Sequence, residues 1–152
     1  MSITTVGIIG AGTMGNGIAQ ACAVSGIHVV MVDISEAAVG KGLSTVAGSL
    51  ERLLKKDKIS AADKDAALAR IKGSTSYDDL KAADLVIEAA TENHDLKVKI
   101  LKQIDAIVAP EVIIASNTSS ISITKLAAVT SRPDRFIGMH FFNPVPMMAL
   151  VE

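Results

Sequence analysis

The stretch that most constrains the fold lies near the start of the chain, where a short apolar run leads into a glycine-rich turn at Gly10. Gly10, Gly12 and Gly15 have the spacing of the dinucleotide-binding fingerprint. The first glycine permits a tight turn off a strand, the second lets a pyrophosphate approach the backbone, and the third lets a helix pack closely on the strand. Free N–H groups at the start of that helix would hold the phosphates. The residues of this turn predicted to contact a cofactor are Gly10, Gly12, Thr13, Met14 and Gly15.

A second apolar strand, from His28 to Val32, follows the predicted first helix and ends at Asp33. This position is close to the distance at which an acidic residue holds the adenosine ribose. A carboxylate there would accept hydrogen bonds from both ribose hydroxyls and would repel a 2′-phosphate, and no arginine follows it. The pattern therefore favours NAD over NADP as the cofactor. The alternative is a βαβ unit of the same kind that binds no nucleotide.

Strand and helix patterns alternate along the rest of the chain. Ser35 is a predicted N-cap of a long helix, and Ser60 with Asp63 has the spacing of a capping box at the start of a second helix. The alternation predicts one α/β domain over residues 1–152, a doubly wound, mainly parallel sheet with a helical pair inserted after its second strand. The predicted helices span residues 37–56, 60–71, 94–108 and 121–129, and the later strands span residues 72–76, 85–87, 112–115 and 135–139.

Composition excludes several classes of function. The 152-residue chain has a net charge of −1 and 49% hydrophobic residues, which suits a sheet buried on both faces and offers no basic surface for nucleic acid or a membrane. A single cysteine, Cys22, excludes an internal disulfide and is typical of a small core residue. No apolar run is long enough to span a bilayer and no leader is recognisable, so we expect a soluble, cytoplasmic protein. No metal site is predicted.

Polar stretches follow the predicted strands, at the edge of the sheet where ligands bind in this class of fold. His140 lies in one of them, and an imidazole exchanges a proton at neutral pH, as the base for oxidation of an alcohol must. Glu152 is a candidate carboxylate partner, although sequence spacing does not establish that the two meet. His28, in a strand, and His94, at a helix start, are weaker candidates. A structural role for His140 is the alternative.

Four motifs together resemble those of the 3-hydroxyacyl-CoA dehydrogenases, and most closely those of the bacterial 3-hydroxybutyryl-CoA dehydrogenases. They are Gly-Ala-Gly-Thr-Met-Gly at 10–15, Val-Ile-Glu-Ala at 86–89 followed by Glu92-Asn93, Ser-Asn-Thr-Ser-Ser at 116–120, and His-Phe-Phe-Asn-Pro-Val-Pro at 140–146. The resemblance covers the whole chain, and the last two motifs are far more specific than the glycine pattern. It implies NAD-dependent oxidation of a (3S)-3-hydroxyacyl-CoA to the 3-ketoacyl-CoA.

The resemblance also implies roles for particular residues. In the reaction, His140 matches the general base, Glu152 the carboxylate that orients it, and Ser119 the hydroxyl that contacts the substrate. Positions that line the cofactor in the family are matched, alongside the glycine-rich turn, by Asp33, Glu92, Lys97, Ser119 and Asn143. Ser49 and Lys56 match positions that contact coenzyme A.

Proteins of this family have a second, helical domain of roughly a hundred residues or more after the nucleotide-binding domain. That domain supplies a catalytic asparagine, the far wall of the acyl pocket and most of the dimer interface. The resemblance therefore implies a homodimer for a full-length protein, and little activity for residues 1–152 alone. It also implies that an apolar run faces the second domain or the cleft beside it. This run comprises Phe141, Phe142, Val145, Met147, Met148, Leu150 and Val151.

Two other classes of function are open at this point. A different two-domain dehydrogenase, of the β-hydroxyacid or 6-phosphogluconate type, shares the glycine motif with methionine in it. Such enzymes use a catalytic lysine and lack the His-Phe-Phe-Asn-Pro motif. The other alternative is a non-catalytic NAD-binding module that acts as a sensor or scaffold. Turnover by a full-length protein would separate these classes.

Overall fold

The computed structural model describes residues 1–152 and contains one six-stranded parallel sheet. The strands are β1 (Thr5–Ile9), β2 (His28–Val32), β3 (Ile71–Ser74), β4 (Leu85–Glu88), β5 (Ile113–Ser116) and β6 (Phe136–Gly138). The α-helices are α1 (Thr13–Val24), α2 (Glu36–Lys55), α3 (Ala61–Ala69), α4 (His94–Ile107) and α5 (Ile123–Ala128). None of them is both long and apolar enough to cross a membrane. The strand order β3-β2-β1-β4-β5-β6 confirms the predicted doubly wound fold.

The chain starts at the middle of the sheet. It runs outward through β2 and β3, then returns to the other side of β1 and runs outward again through β4, β5 and β6. Gly7 of β1 pairs in register with Val86 of β4, and these two strands lie on either side of the reversal. In open sheets of this kind, ligands bind in the crevice beyond the carboxyl ends of the strands at the reversal.

Alternate side chains of each inner strand face opposite sides of the sheet, and both sides are buried. Ile8 and Met31 belong to one core cluster, which includes residues of α1 and α2. Ile9 and Val32 belong to the other cluster, which includes residues of α4. Burial on both faces explains why these strands read as continuous apolar runs in the sequence.

The predicted helical pair is present between β2 and β3 as α2 and α3. The Ser35 hydroxyl accepts a hydrogen bond from an N–H in the first turn of α2 at 3.1 Å, and Ser60 and Asp63 form the expected capping box of α3. Inside α2, a Cβ on Gly42 would lie 2.7 Å from the Ala11 carbonyl oxygen. Glycine at this position therefore lets α2 approach the loop that follows β1.

Some elements begin or end at residues other than those predicted. The apolar pattern predicts a helix that continues through Ile71, but α3 ends before it and Ile71 begins β3, where it pairs with Val29 and is buried. In the sheet, its backbone gains hydrogen-bond partners that the last turn of a helix lacks. The last helix begins later than predicted, at Ile123, because the Ser122 hydroxyl caps it.

The apolar run near residue 145 is partly buried within this domain, which corrects the expectation that the whole run faces a second domain or the cleft beside it. Phe141 and Val145 are 9% and 5% exposed and belong to the core cluster that contains α1. Gly17 of α1 permits this contact, because a Cβ there would lie 2.9 Å from the Val145 Cβ. The residues of the run that are exposed are Met147, Met148, Leu150 and Val151.

Cys22 is half-buried on α1 and packs against the same core cluster. Burial raises the pKa of its thiol to about 11, so the group stays protonated and weakly nucleophilic at neutral pH. The structure therefore agrees with the interpretation of Cys22 as a core residue.

Candidate functional site

A cavity of about 330 Å³, here called the first cavity, lies beyond the carboxyl ends of β1 and β4. Its lining comes from the first turns of α1 and α4 and from the loops that follow β1, β2, β4 and β5. The lining residues are Gly10, Gly12, Thr13, Met14, Asp33, Ala89, Ala90, Thr91, Glu92, Lys97, Asn117 and Thr118. Most residues predicted to contact the cofactor are thus brought together. Of the others, Gly15 packs beneath the turn, Ser119 is exposed and Asn143 lies in a separate groove.

The glycine-rich turn has the shape that a pyrophosphate requires. Gly10 has a φ of +106°, and its N–H donates to the Val32 carbonyl at 2.7 Å. A Cβ on Gly15 would lie 1.8 Å from the Gly10 carbonyl oxygen, so only glycine lets α1 begin this close to β1. A Cβ on Gly12 would meet no other atom within 4 Å and would project into open space at the first cavity. The turn therefore leaves room for a phosphate against the first N–H groups of α1.

Asp33 follows β2 and holds its carboxylate at the first cavity. Its Oδ2 accepts a hydrogen bond from the Ala11 N–H at 2.8 Å, and its Oδ1 accepts one from the Ile34 N–H at 2.6 Å. Each carboxylate oxygen keeps a lone pair for a further donor, such as a ribose hydroxyl. The residues present therefore fit the adenosine end of a dinucleotide, with the ribose on Asp33 and the phosphates on the glycine-rich turn.

A buried ion pair stands beside the first cavity. The Lys97 ammonium donates to Oε1 of Glu88, and each side chain is at most 1% exposed. The Ser116 hydroxyl donates to the same oxygen at 2.7 Å, and the Ala90 N–H donates to Oε2 at 2.9 Å. Glu88 is not among the site residues predicted from the sequence. The sequence signal that could have identified it is an acidic residue at the end of an apolar strand. A carboxylate buried at such a position requires a cation as its partner.

Side-chain hydrogen bonds join the loops around the first cavity. Oε2 of Glu92 accepts from the hydroxyls of Thr118 and Ser120 at 2.8 and 3.0 Å. Oδ1 of Asn117 accepts from the Phe141 N–H at 2.9 Å. The polar residues of the Ser-Asn-Thr-Ser-Ser motif thereby tie the loop after β5 to the loops after β4 and β6.

The structure brings His140 and Glu152 together after β6. Nδ1 of His140 lies 3.5 Å from Oε2 of Glu152, and their backbones exchange two N–H to carbonyl hydrogen bonds of 2.8 and 2.9 Å. The carboxylate faces one ring nitrogen, so Nε2 is left for another partner. The ring packs against Phe142, with ring centroids 4.6 Å apart. The weaker candidates lie elsewhere, because His28 begins β2 and His94 begins α4.

A second groove, of about 550 Å³, lies between α1, α2 and the loop that follows His140. It contains Ser49 and Lys56, which match coenzyme A contacts, and Asn143, which matches a cofactor contact. Thr13 lines both the first cavity and the second groove, so the two sites adjoin. Further polar lining residues, which are not among the predicted site residues, are Asn16, Gln20, Thr45, Arg52 and Lys58. Residues three or four positions apart lie on one face of a helix. This spacing between Thr45 and Lys56 is the sequence signal for the lining residues that α2 provides.

The fold, the glycine-rich turn and Asp33 together define a dinucleotide-binding domain. The sequence profile of a family described as "3-hydroxyacyl-CoA dehydrogenase, NAD binding domain" matches residues 5–152. The chain belongs to this family, and its cofactor is NAD.

Individual relatives agree with the family. The chain is 51% identical to the 3-hydroxybutyryl-CoA dehydrogenase of Bradyrhizobium diazoefficiens, over 99% of this chain and 51% of that protein. It is 45% identical to the fatty acid oxidation complex subunit alpha of Acinetobacter baylyi, over 99% of this chain and 21% of that protein. The crystal structure of (S)-3-hydroxybutyryl-CoA dehydrogenase from Ralstonia eutropha matches with a TM-score of 0.98 and 82% identity, over 99% of this chain and 53% of that one. The chain thus spans about half the length of the 3-hydroxybutyryl-CoA dehydrogenases that it matches.

Proposed function

We propose that residues 1–152 are the NAD-binding half of a longer enzyme that oxidises (3S)-3-hydroxyacyl-CoA, in particular 3-hydroxybutyryl-CoA, to the 3-ketoacyl-CoA. The family and the activity named for relatives of about twice the length support this proposal. A second, helical domain would complete the acyl pocket and supply the contacts of a homodimer. The exposed apolar residues from Met147 to Val151 are the surface that it would cover.

The pairing of His140 with Glu152 is the observation that carries the proposal. Oxidation of a secondary alcohol removes a proton from oxygen and a hydride from carbon, and bound NAD supplies the hydride acceptor. Nε2 of His140 would take the hydroxyl proton, and the electron pair of the O–H bond would form the C=O bond as the hydride leaves. The Glu152 carboxylate, 3.5 Å from Nδ1, would stabilise the imidazolium that results.

The cofactor would lie across the first cavity. The glycine-rich turn and the start of α1 would hold the pyrophosphate, and Asp33 would hold the adenosine ribose. Glu92 and Lys97, which line the same cavity, would border the rest of the cofactor. Ser119 lies in the loop that the Glu92 carboxylate ties down, and there it would contact both cofactor and substrate. Asn143 would contact the cofactor from the second groove.

The acyl-CoA would lie in the second groove. Ser49 and Lys56 would contact its phosphates, and the exposed cations Arg52 and Lys58 add positive charge beside them. The groove meets the first cavity at Thr13, so a ligand lying in it reaches toward the bound cofactor. The two reacting ligands would then lie on adjoining surfaces of one helix, α1.

A comparison of residues 1–152 with a protein of the relatives' full length tests the proposal. We expect the 152-residue chain to bind NAD in calorimetry, since every predicted contact to the adenosine half lies within it. Its turnover of acetoacetyl-CoA with NADH should be very low, because orientation of reactants contributes up to roughly 7–11 kcal/mol and a half-open site does not hold the acyl group. Full turnover by a monomer of residues 1–152 would contradict the two-domain proposal. No turnover by the full-length protein would instead favour a non-catalytic NAD-binding module.

A further inference from the structure

Gln20 is a buried polar side chain of α1 to which the proposed chemistry gives no role. It is 3% exposed and lines the second groove. The neighbouring Asn16 donates to the Ala11 carbonyl at 3.2 Å, whereas the Gln20 carboxamide has no hydrogen bond to another group of the chain. Every side-chain nitrogen or oxygen that is shut off from solvent has a partner, so the Gln20 carboxamide reaches the open space of the groove. A polar group at such a position destabilises the fold unless a ligand or a water molecule forms its hydrogen bonds.

The chemistry of the second groove changes along its length. Along α2 and its C-cap, the lining residues pass from the hydroxyls of Thr45 and Ser49 to the cations Arg52 and Lys56. On α1, Gln20 lies two helical turns beyond Thr13, roughly 10 Å along the axis. Along α2 the lining of the groove therefore passes from neutral hydroxyls to cations, and Gln20 adds a neutral carboxamide from α1.

A ligand that is anionic at one end and carries neutral amides along its length matches this arrangement. Coenzyme A has this pattern, with phosphates on its nucleotide and amide groups in its pantetheine arm. A carboxamide offers an N–H donor and a carbonyl acceptor, which are the complement of an amide. Gln20 is 3% exposed, so its carboxamide is accessible only from the groove.

Building on the proposed acyl-CoA substrate, we propose that the buried carboxamide of Gln20 binds an amide of the pantetheine arm in the second groove. Gln20 then recognises the arm, while Lys56 recognises the phosphates. An arm held there lies along α1 and extends toward Thr13, where the groove meets the first cavity.

Calorimetry with the unmodified 152-residue chain and three probes tests this assignment, because every residue that lines the groove lies within the chain. The probes are coenzyme A, phosphopantetheine, which has the arm without the nucleotide, and adenosine 3′,5′-bisphosphate, which has the nucleotide without the arm. Gln20→Met keeps the length of the side chain and removes its hydrogen bonds. It should weaken coenzyme A and phosphopantetheine about five- to tenfold and leave the bisphosphate unchanged.

Two further variants make the result decisive. Gln20→Leu removes the same hydrogen bonds and adds no charge, so it should weaken the same two probes, and it decides the matter if Gln20→Met does not fold. Gln103→Met, on an exposed face of α4, is the matched control and should change none of the three affinities.

Three outcomes would overturn the inference, and they are distinguishable. Unchanged phosphopantetheine binding in the Gln20 variants, with coenzyme A still bound, would refute the role of Gln20 and leave the substrate proposal standing. Equal weakening of the bisphosphate would show a disturbance of the whole groove rather than recognition of the arm. Failure of the unmodified chain to bind coenzyme A or the bisphosphate would refute the proposed substrate class, and the inference with it.

Discussion

The first cavity and the second groove adjoin at Thr13, yet their polar groups are held in different ways. Two backbone N–H groups fix the carboxylate of Asp33, and three donors fix that of Glu88. The cations of the second groove, by contrast, are exposed ends of long side chains on α2 and the turn after it. The proposed cofactor site is therefore preorganised within these residues, whereas the proposed substrate site depends on groups that the ligand itself would have to order.

The largest effect on activity should come from a substitution that leaves both binding regions intact and removes only the general base. In a full-length protein, His140→Gln should lower turnover by at least about a hundredfold, as loss of a general base does, without changing NAD affinity in calorimetry. His94→Gln, at the exposed start of α4, is the matched control and should leave turnover unchanged. Turnover that survived the loss of His140 would mean that another group is the base, as in the lysine-dependent hydroxyacid dehydrogenases.

Within the preorganised region, substitutions of two glycines should distinguish an effect on NAD affinity from an effect on stability. A Cβ on Gly12 meets no protein atom within 4 Å, so Gly12→Ala should leave the thermal unfolding midpoint nearly unchanged. It should crowd the pyrophosphate and weaken NAD by about 1–3 kcal/mol, or roughly five- to a hundredfold. Gly15→Ala places a Cβ 1.8 Å from the Gly10 carbonyl oxygen and should lower both the midpoint and the affinity. Equal loss of stability in both variants would argue that the turn is purely structural.

Substitution of Asp33 should have an intermediate effect, confined to the ratio of the affinities for NAD and NADP. Asp33→Ala should narrow the preference for NAD over NADP by about tenfold, since it removes a charge-assisted hydrogen bond to the ribose and the repulsion of a 2′-phosphate. Asp33→Asn keeps an acceptor for the Ala11 N–H, so it controls for damage to the turn. Competitive binding measures the ratio. Equal affinity of the unmodified chain for both cofactors would contradict the assigned role of Asp33.

The smallest effect on activity should come from a substitution in the second groove. In a full-length protein, Lys56→Ala should raise the KM for acyl-CoA roughly two- to fivefold, because exposed ion pairs contribute at most about 1 kcal/mol. The kcat should stay nearly the same, as expected for an interaction made equally in the ground and transition states. Lys102→Ala, on an exposed face of α4, is the control. An unchanged KM would mean that the Lys56 ammonium faces solvent only.

The features that could be predicted from the sequence depend on contacts between residues close together in the chain. The capping box of Ser60 and Asp63 spans a single helical turn, and the structure contains it where the pattern places it. The glycine-rich turn is equally local. Glu88 is different, because its partner Ser116 lies on a neighbouring strand and no residue beside Glu88 indicates the contact. Periodicity reports that a residue is buried, but not which distant group it meets.

Val145 illustrates the same limit in the core. The sequence pattern of an apolar run near a domain boundary indicates a surface that another domain covers. Its spacing does not show which of its residues pack into the domain's own core. The inward turn depends on Gly17, which lies on a distant helix and leaves the space that Val145 fills. Ile71 shows the competing effect at an edge of the sheet, where pairing with Val29 outweighs a helical apolar pattern.

Because α1 begins at the glycine-rich turn and carries Gln20 to the second groove, one rigid element sets the distance between the two proposed ligand sites. That distance is counted in residues, at about 1.5 Å each, and is independent of how the surrounding loops move. A residue inserted between Thr13 and Gln20 would rotate everything after it by about 100° and turn the carboxamide away from the groove, with the glycine turn left intact. The length and phase of the first two turns of α1 are therefore constrained together with Gly15 and Gly17, which its close contacts require.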